Sequence, residues 1–221
     1  VRMDRTRHSV SLAVGLKDKI MKLFHSPASP YVRKVVVMLH EMDKLDAVAF
    51  ETVATTAFAS NEALMIANPL AKLPALQRED GVTLYDSRVI TGYLNEVFDA
   101  GLYPQGSGKW ENLTLEATGD GIMDSAVSMA YEMRLRAPEE QSQAWIDAQW
   151  EKVSRALAVL NARWISHLSG PVTMAHISVG CALSYLDFRH DARNWRQGNE
   201  ALAKWHESFE SRPSMQATKP A

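Results

Sequence analysis

Two clusters of polar residues in the first hundred positions have the types and spacing to do chemistry. The first is Ser26-Pro27-Ala28-Ser29-Pro30-Tyr31-Val32-Arg33-Lys34. Ser29 followed by Pro30 reads as a helix start, with the hydroxyl as N-cap and the proline as first helical residue. A helix N-terminus also stabilises an anion. A hydroxyl at that point can therefore satisfy the backbone, hold a bound anion, or do both. Ser26 offers the same chemistry further from the helix start. The second cluster is Asn68-Pro69-Leu70-Ala71-Lys72-Leu73-Pro74-Ala75-Leu76, followed by Leu84-Tyr85-Asp86-Ser87. Pro74 sits in an apolar, strand-like run, where a proline costs a ladder hydrogen bond. The backbone beside it, at Leu73, is then available to something other than a neighbouring strand. Asp86-Ser87 opens a helical pattern. Ser87 can simply be its N-cap, or the pair can present an acid and a hydroxyl to the ammonium and carboxylate of a ligand.

The whole chain bounds what these clusters serve. Its 221 residues make one large domain or two small ones with ample core. A formal net charge of -2 gives no electrostatic footprint for nucleic acid or for an anionic membrane. No apolar run is long enough to span a bilayer. The single cysteine, Cys181, excludes an internal disulfide and fits a reducing compartment. It lies among Val179, Ala182 and Leu183 and reads as core. Asp120 and Asp124 fall on one helix face and read as a solvated face; the scattered histidines have no ligand spacing, so no metal is expected. Arg2, Arg5 and Arg7 precede a short apolar stretch, Val10 to Leu16, but charges follow at once with no small-residue cleavage site. Residues 1–20 are expected to be an N-terminal extension, with the folded protein beginning near Met21.

The elements that must position the clusters follow from periodicity. Met21 to His25 and Ala47 to Val53 read as strands. Tyr31 to Met42 repeats apolar residues at helical spacing, and Phe58 to Ile66 is a short helix that stops before Asn68-Pro69. Ala75 to Gln77 and Val82 to Leu84 form a hairpin across Asp80-Gly81. Ser87 to Phe98 is helical. Strand signals then vanish, and Trp110 to Leu135, Glu139 to His167, Thr173 to His190 and Gly198 to Phe209 carry helical periodicity, punctuated by Pro138 and Gly170-Pro171. The expected architecture is an α/β domain of order β-α-β-α-β-β-α over 21–100, a linker over 101–109 rich in Gly and Pro, and an all-α domain over 110–221.

The order and spacing of Ser29-Pro30-Tyr31-Val32-Arg33, Asn68-Pro69 through Leu73-Pro74-Ala75-Leu76, and Asp86-Ser87 resemble the cytosolic glutathione transferases. Without a cysteine near Ser26 to Ser29, the chain looks most like the bacterial serine-type members. The resemblance covers about Met21 to the end. It implies a thioredoxin-like N-terminal domain and a helical C-terminal domain. It also implies a cis Leu73–Pro74 bond, a cytoplasmic homodimer, and glutathione as co-substrate with no metal. By position, Ser29 would be the catalytic residue, donating a hydrogen bond to the glutathione sulfur. Lys72, Leu73 and Pro74 would hold the glycyl and cysteinyl parts, and Asp86 and Ser87 the γ-glutamyl end. The implied activity is conjugation of the thiolate to a small, largely apolar electrophile. A non-catalytic scaffold of the same fold, or a glutathione-dependent isomerase or dehalogenase, are the alternatives. Most of the stripe Ile122, Met123, Ala126, Val127, Ala130 and Tyr131 reads as interdomain core, and a few of its residues would, with Tyr31, line the second pocket. One departure is visible: Thr173-Met174-Ala175-His176 carries His176 where the family has the acid of a capping box.

Overall fold

Met21–His25 buries Met21, Leu23 and Phe24 and forms β1, the first strand of the computed structural model, which describes residues 21–220. The expected extension over 1–20 lies outside the described residues. After β1 come α1 (Pro30–Glu41), β2 (Val48–Thr52), α2 (Glu62–Ala67), β3 (Ala75–Gln77), β4 (Thr83–Leu84) and α3 (Ser87–Val97). The sheet order is β2-β1-β3-β4, with β1 parallel to β2 and antiparallel to β3, and β3 antiparallel to β4. This is the mixed, thioredoxin-like sheet that the resemblance implies. The β3–β4 turn closes through Arg78 N–H to the Val82 carbonyl, with Gly81 at φ +89°, a conformation suited to glycine. The short helix starts later than periodicity suggests. Asn61 accepts from Leu64 N–H at 3.1 Å, and that cap sets the first residue at Glu62.

The rest of the described chain is helical: α4 (Lys109–Leu135), α5 (Gln143–Val159), α6 (Ile165–Leu168), α7 (Met174–His190), α8 (Glu200–Glu210) and α9 (Pro213–Ala217). The stretch expected as one helix over Glu139 to His167 is broken. Ser142 caps α5 by accepting from Trp145 N–H, and a π-helical segment, Leu160–Trp164, separates α5 from α6. The π segment turns Asn161 toward α8, where it accepts from Leu202 N–H at 3.0 Å and satisfies a helix-start donor that Asn199 leaves unmet. Helices α4 and α7 pack closely in the centre. A Cβ on Gly119 would sit 2.5 Å from Ser178 Oγ, so only glycine permits that approach.

The capping box at the start of α7 works with an imidazole. Thr173 N–H donates to His176 Nδ1 at 3.2 Å, which requires a neutral ring with a free lone pair there. Burial lowers the pKa of His176, and likewise of His25, His190 and His206. Unfolded histidines titrate near ~6.5, so between the folded values and ~6.5 the unfolded chain binds more protons. Their contribution to stability is complete above that pH and is lost as pH falls. One ring accounts for a slope of at most about 1.4 kcal/mol per pH unit. The urea midpoint is expected to drop between pH 7.5 and 5.5. His176→Gln, which accepts the same bond at every pH, is expected to flatten the drop. A midpoint that does not move with pH in the unaltered protein contradicts this account.

Candidate functional site

The strand register gathers the two sequence clusters at one edge of the sheet. Phe24 pairs with Ala75, so the chain leaving β1 toward Ser29 runs beside Pro74. Leu76 pairs with Leu84, so the chain leaving β4 toward Asp86 also emerges beside the start of β3. The N-termini of α1 and α3 therefore sit at the same edge, each offering unpaired helix-start N–H groups. Between them the Leu73–Pro74 peptide bond is cis. Leu73 is half-buried, and its N–H and C=O take no hydrogen-bond partner among the described residues. Lys72 is exposed, and its carbonyl accepts from Asn68 Nδ2 at 2.8 Å.

Ser29 is the N-cap of α1. Its Oγ accepts from Val32 N–H at 3.3 Å, and Pro30 is the first helical residue. Capping uses a lone pair, so the hydroxyl proton stays available as a donor. Ser29 lines a small recess with Ala28, Arg33, Cys181, Tyr185 and Pro220. Tyr31, two residues on, donates to Asp124 Oδ1 at 2.5 Å. Burial, reinforced by that hydrogen bond and the Asp124 charge, pushes its phenol far above the ordinary range, so it is a neutral donor and not a base. Cys181 is fully buried and burial pushes its thiol up to about 11, which suits a core residue.

At α3 the N-cap is Asp86, not Ser87. Asp86 accepts from Arg88 N–H at 3.0 Å, while Ser87 is the first helical residue and is buried. An aspartate reaches the N2 amide from the cap position and leaves the serine inside the first turn. Burial alone would raise the Asp86 pKa, but the Arg88 side chain and backbone bonds outweigh it and hold it below the usual carboxylate range. Arg88 Nη2 donates to Asp86 at 2.9 Å, and Arg88 Nε also lies 3.8 Å from Asp120.

Beneath this edge lies a polar network that periodicity did not reveal. Lys34 is fully buried; its Nζ donates to Glu116 at 3.0 Å and to both Asp120 oxygens at 2.9 and 3.1 Å. Tyr103 OH donates to Glu116 at 3.0 Å and lies 2.8 Å from Thr91 Oγ1, whose single proton is shared between Tyr103 and the Ser87 carbonyl 2.9 Å away. Ser178 donates to Asp120 at 2.9 Å. The chain of bonds joins α1, α3, α4 and α7. Asp120 is thus not on a solvated face, because α1 and α7 cover it; Asp124 does stay exposed, bonded to Tyr31. A readable signal existed: Val32-Arg33-Lys34-Val35-Val36-Val37-Met38-Leu39 is apolar apart from its two cations, and a lysine inside such a helix requires a partner once the helix is buried, as it is here. Arg33 is also buried, donating to Glu210, Thr218 and the Met215 carbonyl.

A wider groove between α7 and α8, bounded by Asp187, Arg196, Lys204 and Glu207, contains none of the residues at the sheet edge. Arg196 and Asp187 neutralise each other there at 2.7 Å. Among the described residues no group of three or more His, Cys, Asp or Glu is arranged to hold a metal ion, and no helix is long and apolar enough to cross a membrane.

Comparison with known proteins gives a family for this arrangement. Residues 23–101 match the model of the glutathione S-transferase N-terminal domain, and 143–208 that of the C-terminal domain. The chain is 32% identical over 205 residues to the uncharacterized GST-like protein YibF of Escherichia coli K12, covering 90% of this chain and 98% of that one. It is 48% identical to a glutathione transferase family member from Pseudomonas fluorescens Pf-5, solved with bound glutathione, with a TM-score of 0.89 over 91% of this chain and 99% of that one. A Pf-5 family member solved with bound S-(propanoic acid)-glutathione is 47% identical, with a TM-score of 0.84 over 91% and 100%.

Proposed function

The chain belongs to the glutathione transferase family, and from that premise we propose that it binds glutathione at the sheet edge and conjugates its thiolate to a small carbon electrophile. The observation that carries the reading is the register of β1, β3 and β4, which brings Ser29, Leu73-Pro74 and Asp86-Ser87 to one edge with two helix N-termini. The Pf-5 relatives solved with glutathione and with a glutathione conjugate support it. In this reading residues 21–100 form the glutathione-binding domain, 101–109 the linker and 110–221 the helical domain.

The unpaired Leu73 backbone pairs with the cysteinyl backbone of the ligand as an added strand would. Lys72 meets the glycyl carboxylate. The N-terminus of α3, with Ser87, receives the γ-glutamyl carboxylate, and Asp86 receives the ammonium. The thiol proton leaves to solvent and Ser29 donates to the resulting thiolate. The sulfur then forms the C–S bond with its lone pair. Either a halide departs with the electrons of the broken carbon bond, or an activated alkene takes up a proton at the neighbouring carbon. The reading carries with it a cytoplasmic homodimer, for which exposed Met65, Ile66, Val89 and Trp110 supply apolar surface.

Retention on immobilised glutathione followed by a conjugation assay with 1-chloro-2,4-dinitrobenzene tests the proposal. Retention and turnover together are expected. Failure to be retained, with no thermal shift in millimolar glutathione, favours the scaffold alternative, and retention without conjugation favours an isomerase or dehalogenase. Asp86→Asn is expected to raise KM for glutathione about tenfold with kcat nearly unchanged, because the ammonium contact is made equally in ground and transition states.

A further inference from the structure

The groove between α7 and α8 encloses about 930 Å³ and shares only Pro220 with the recess beside Ser29, so it is a separate cavity. Its size is that of a small-molecule site. His206 of α8 lines it, 2% exposed, its ring set edge-to-face against Trp195 with centroids 5.7 Å apart. Three groups surround Ser184 Oγ: Glu210 Oε2 at 2.6 Å, the Gly180 carbonyl at 2.9 Å and His206 Nε2 at 3.1 Å. The carboxylate and the carbonyl can only accept, and the single hydroxyl proton goes to one of them. His206 Nε2 must therefore be the ring N–H, donating to Ser184 Oγ. Burial lowers the His206 pKa and keeps the ring neutral, so Nδ1 carries a bare lone pair.

That lone pair has no donor. Nδ1 is buried without a hydrogen-bond partner among the described residues, and the oxygen it faces, Asp187 Oδ2 at 3.9 Å, is another acceptor. Oδ2 takes one donor, Arg196 Nη2 at 2.7 Å, and keeps a lone pair free. Two acceptors that face each other with no proton between them are a costly arrangement. An atom seated between them can lie within hydrogen-bond distance of both. A hydroxyl there would bring one proton for two acceptors. A primary ammonium brings three, and its charge suits Asp187 and the exposed Glu207 on the same groove. Phe188 and Ala203 give the groove apolar wall, and exposed Lys204 and Lys219 stand at its rim.

We infer that the groove between α7 and α8 is a second ligand site, which binds a primary ammonium between His206 Nδ1 and Asp187 Oδ2 with an apolar body against Phe188 and Ala203. The inference goes beyond the glutathione reading and does not depend on it. A free amine and the amino end of an amino acid or short peptide share this chemistry. In the second case Lys204 or Lys219 receives the carboxylate.

The test is calorimetric titration of the full chain with 2-phenylethylamine, 2-phenylethanol and L-phenylalanine. The amine is expected to bind at least tenfold tighter than the alcohol and to move the His206 Nδ1 resonance in nitrogen NMR spectra. Phenylalanine binding tighter than the amine identifies an amino acid or peptide end as the ligand; weaker binding identifies a free amine. Asp187→Asn sets a side-chain N–H of its own against Nδ1 and is expected to lower amine affinity at least tenfold, with the fold retained by circular dichroism. His206→Phe should abolish binding, and His206→Asn, whose Oδ1 falls where Nδ1 was, should restore part of it. Equal affinity for amine and alcohol, or no amine binding at millimolar concentration, overturns the proposal and leaves the gap to water. Amine binding that survives both Asp187→Asn and His206→Phe overturns the assignment to this groove. Retention on immobilised glutathione is expected to be unchanged in Asp187→Asn, so failure of this site and failure of the glutathione reading are read separately.

Discussion

Ser29→Ala should slow conjugation by about 10- to 100-fold and raise the pH at which the bound thiol ionises by about one to two units. The magnitude follows from what the hydroxyl supplies. A free thiol has a pKa of about 8.5, so only a few per cent is thiolate at neutral pH. Lowering it by two units requires roughly 2.7 kcal/mol in favour of the anion. A hydrogen bond to a charged acceptor contributes about 1.5–3 kcal/mol, and a helix terminus about 0.3–1. The Ser29 hydroxyl is therefore the larger part, and the α1 terminus remains when it is removed. The capping bond to Val32 N–H complicates a simple alanine scan, since its loss costs about 0.5–2 kcal/mol of stability. Ser29→Asp separates the two roles. It keeps the cap, because a carboxylate accepts from Val32 N–H, but it places a negative charge against the sulfur and donates nothing. Both variants are expected to lose turnover, with Ser29→Asp retaining the melting temperature. A pH–rate profile of Ser29→Ala that overlays that of the unaltered protein would sink the role proposed for this residue.

How much of this was legible beforehand depends on the range of the interaction. Local signals wrote themselves into short windows. Alternation at Met21–His25, the turn at Asp80-Gly81 and the Ser29-Pro30 helix start each involve a few neighbouring residues, and all correspond to observed elements. Errors came where a side chain from elsewhere decided the matter. The run from Glu139 to His167 looks like one helix by periodicity, but it is interrupted by a π segment whose Asn161 serves the start of α8 forty-one residues away. Asp120 looked solvated because its own helix shows only an i,i+4 pair of acids. Its burial is caused by Lys34, eighty-six residues away, and by Ser178.

Lys34→Met should be the most destabilising single change in the protein, by about 3–5 kcal/mol, because it leaves Glu116 and Asp120 buried and facing each other without their cation. Domains of this size are stable by only about 5–15 kcal/mol, so the variant would approach unfolding at physiological temperature. At roughly 2–4 °C per kcal/mol, the melting temperature should fall by about 6–20 °C. The triple variant Lys34→Met, Glu116→Gln, Asp120→Asn distinguishes a cost of unpaired charge from a cost of lost packing. Its amide oxygens still accept from Tyr103 and Ser178, and no buried charge remains. Buried ion clusters are often replaceable at little cost in stability, so the triple variant should recover most of the loss. It should not recover function to the same extent. The Lys34–Glu116–Tyr103–Thr91 chain reaches Thr91 in α3 and so ties the first turns of α3 to α1. With the ion cluster replaced by weaker amide bonds, those turns are held less firmly, and KM for glutathione should rise several-fold in a protein whose melting temperature is nearly restored. A single variant within about 1 kcal/mol of the unaltered protein by urea titration would show that water reaches this site. A triple variant with both stability and KM restored would show that the cluster holds no part of the binding edge in place.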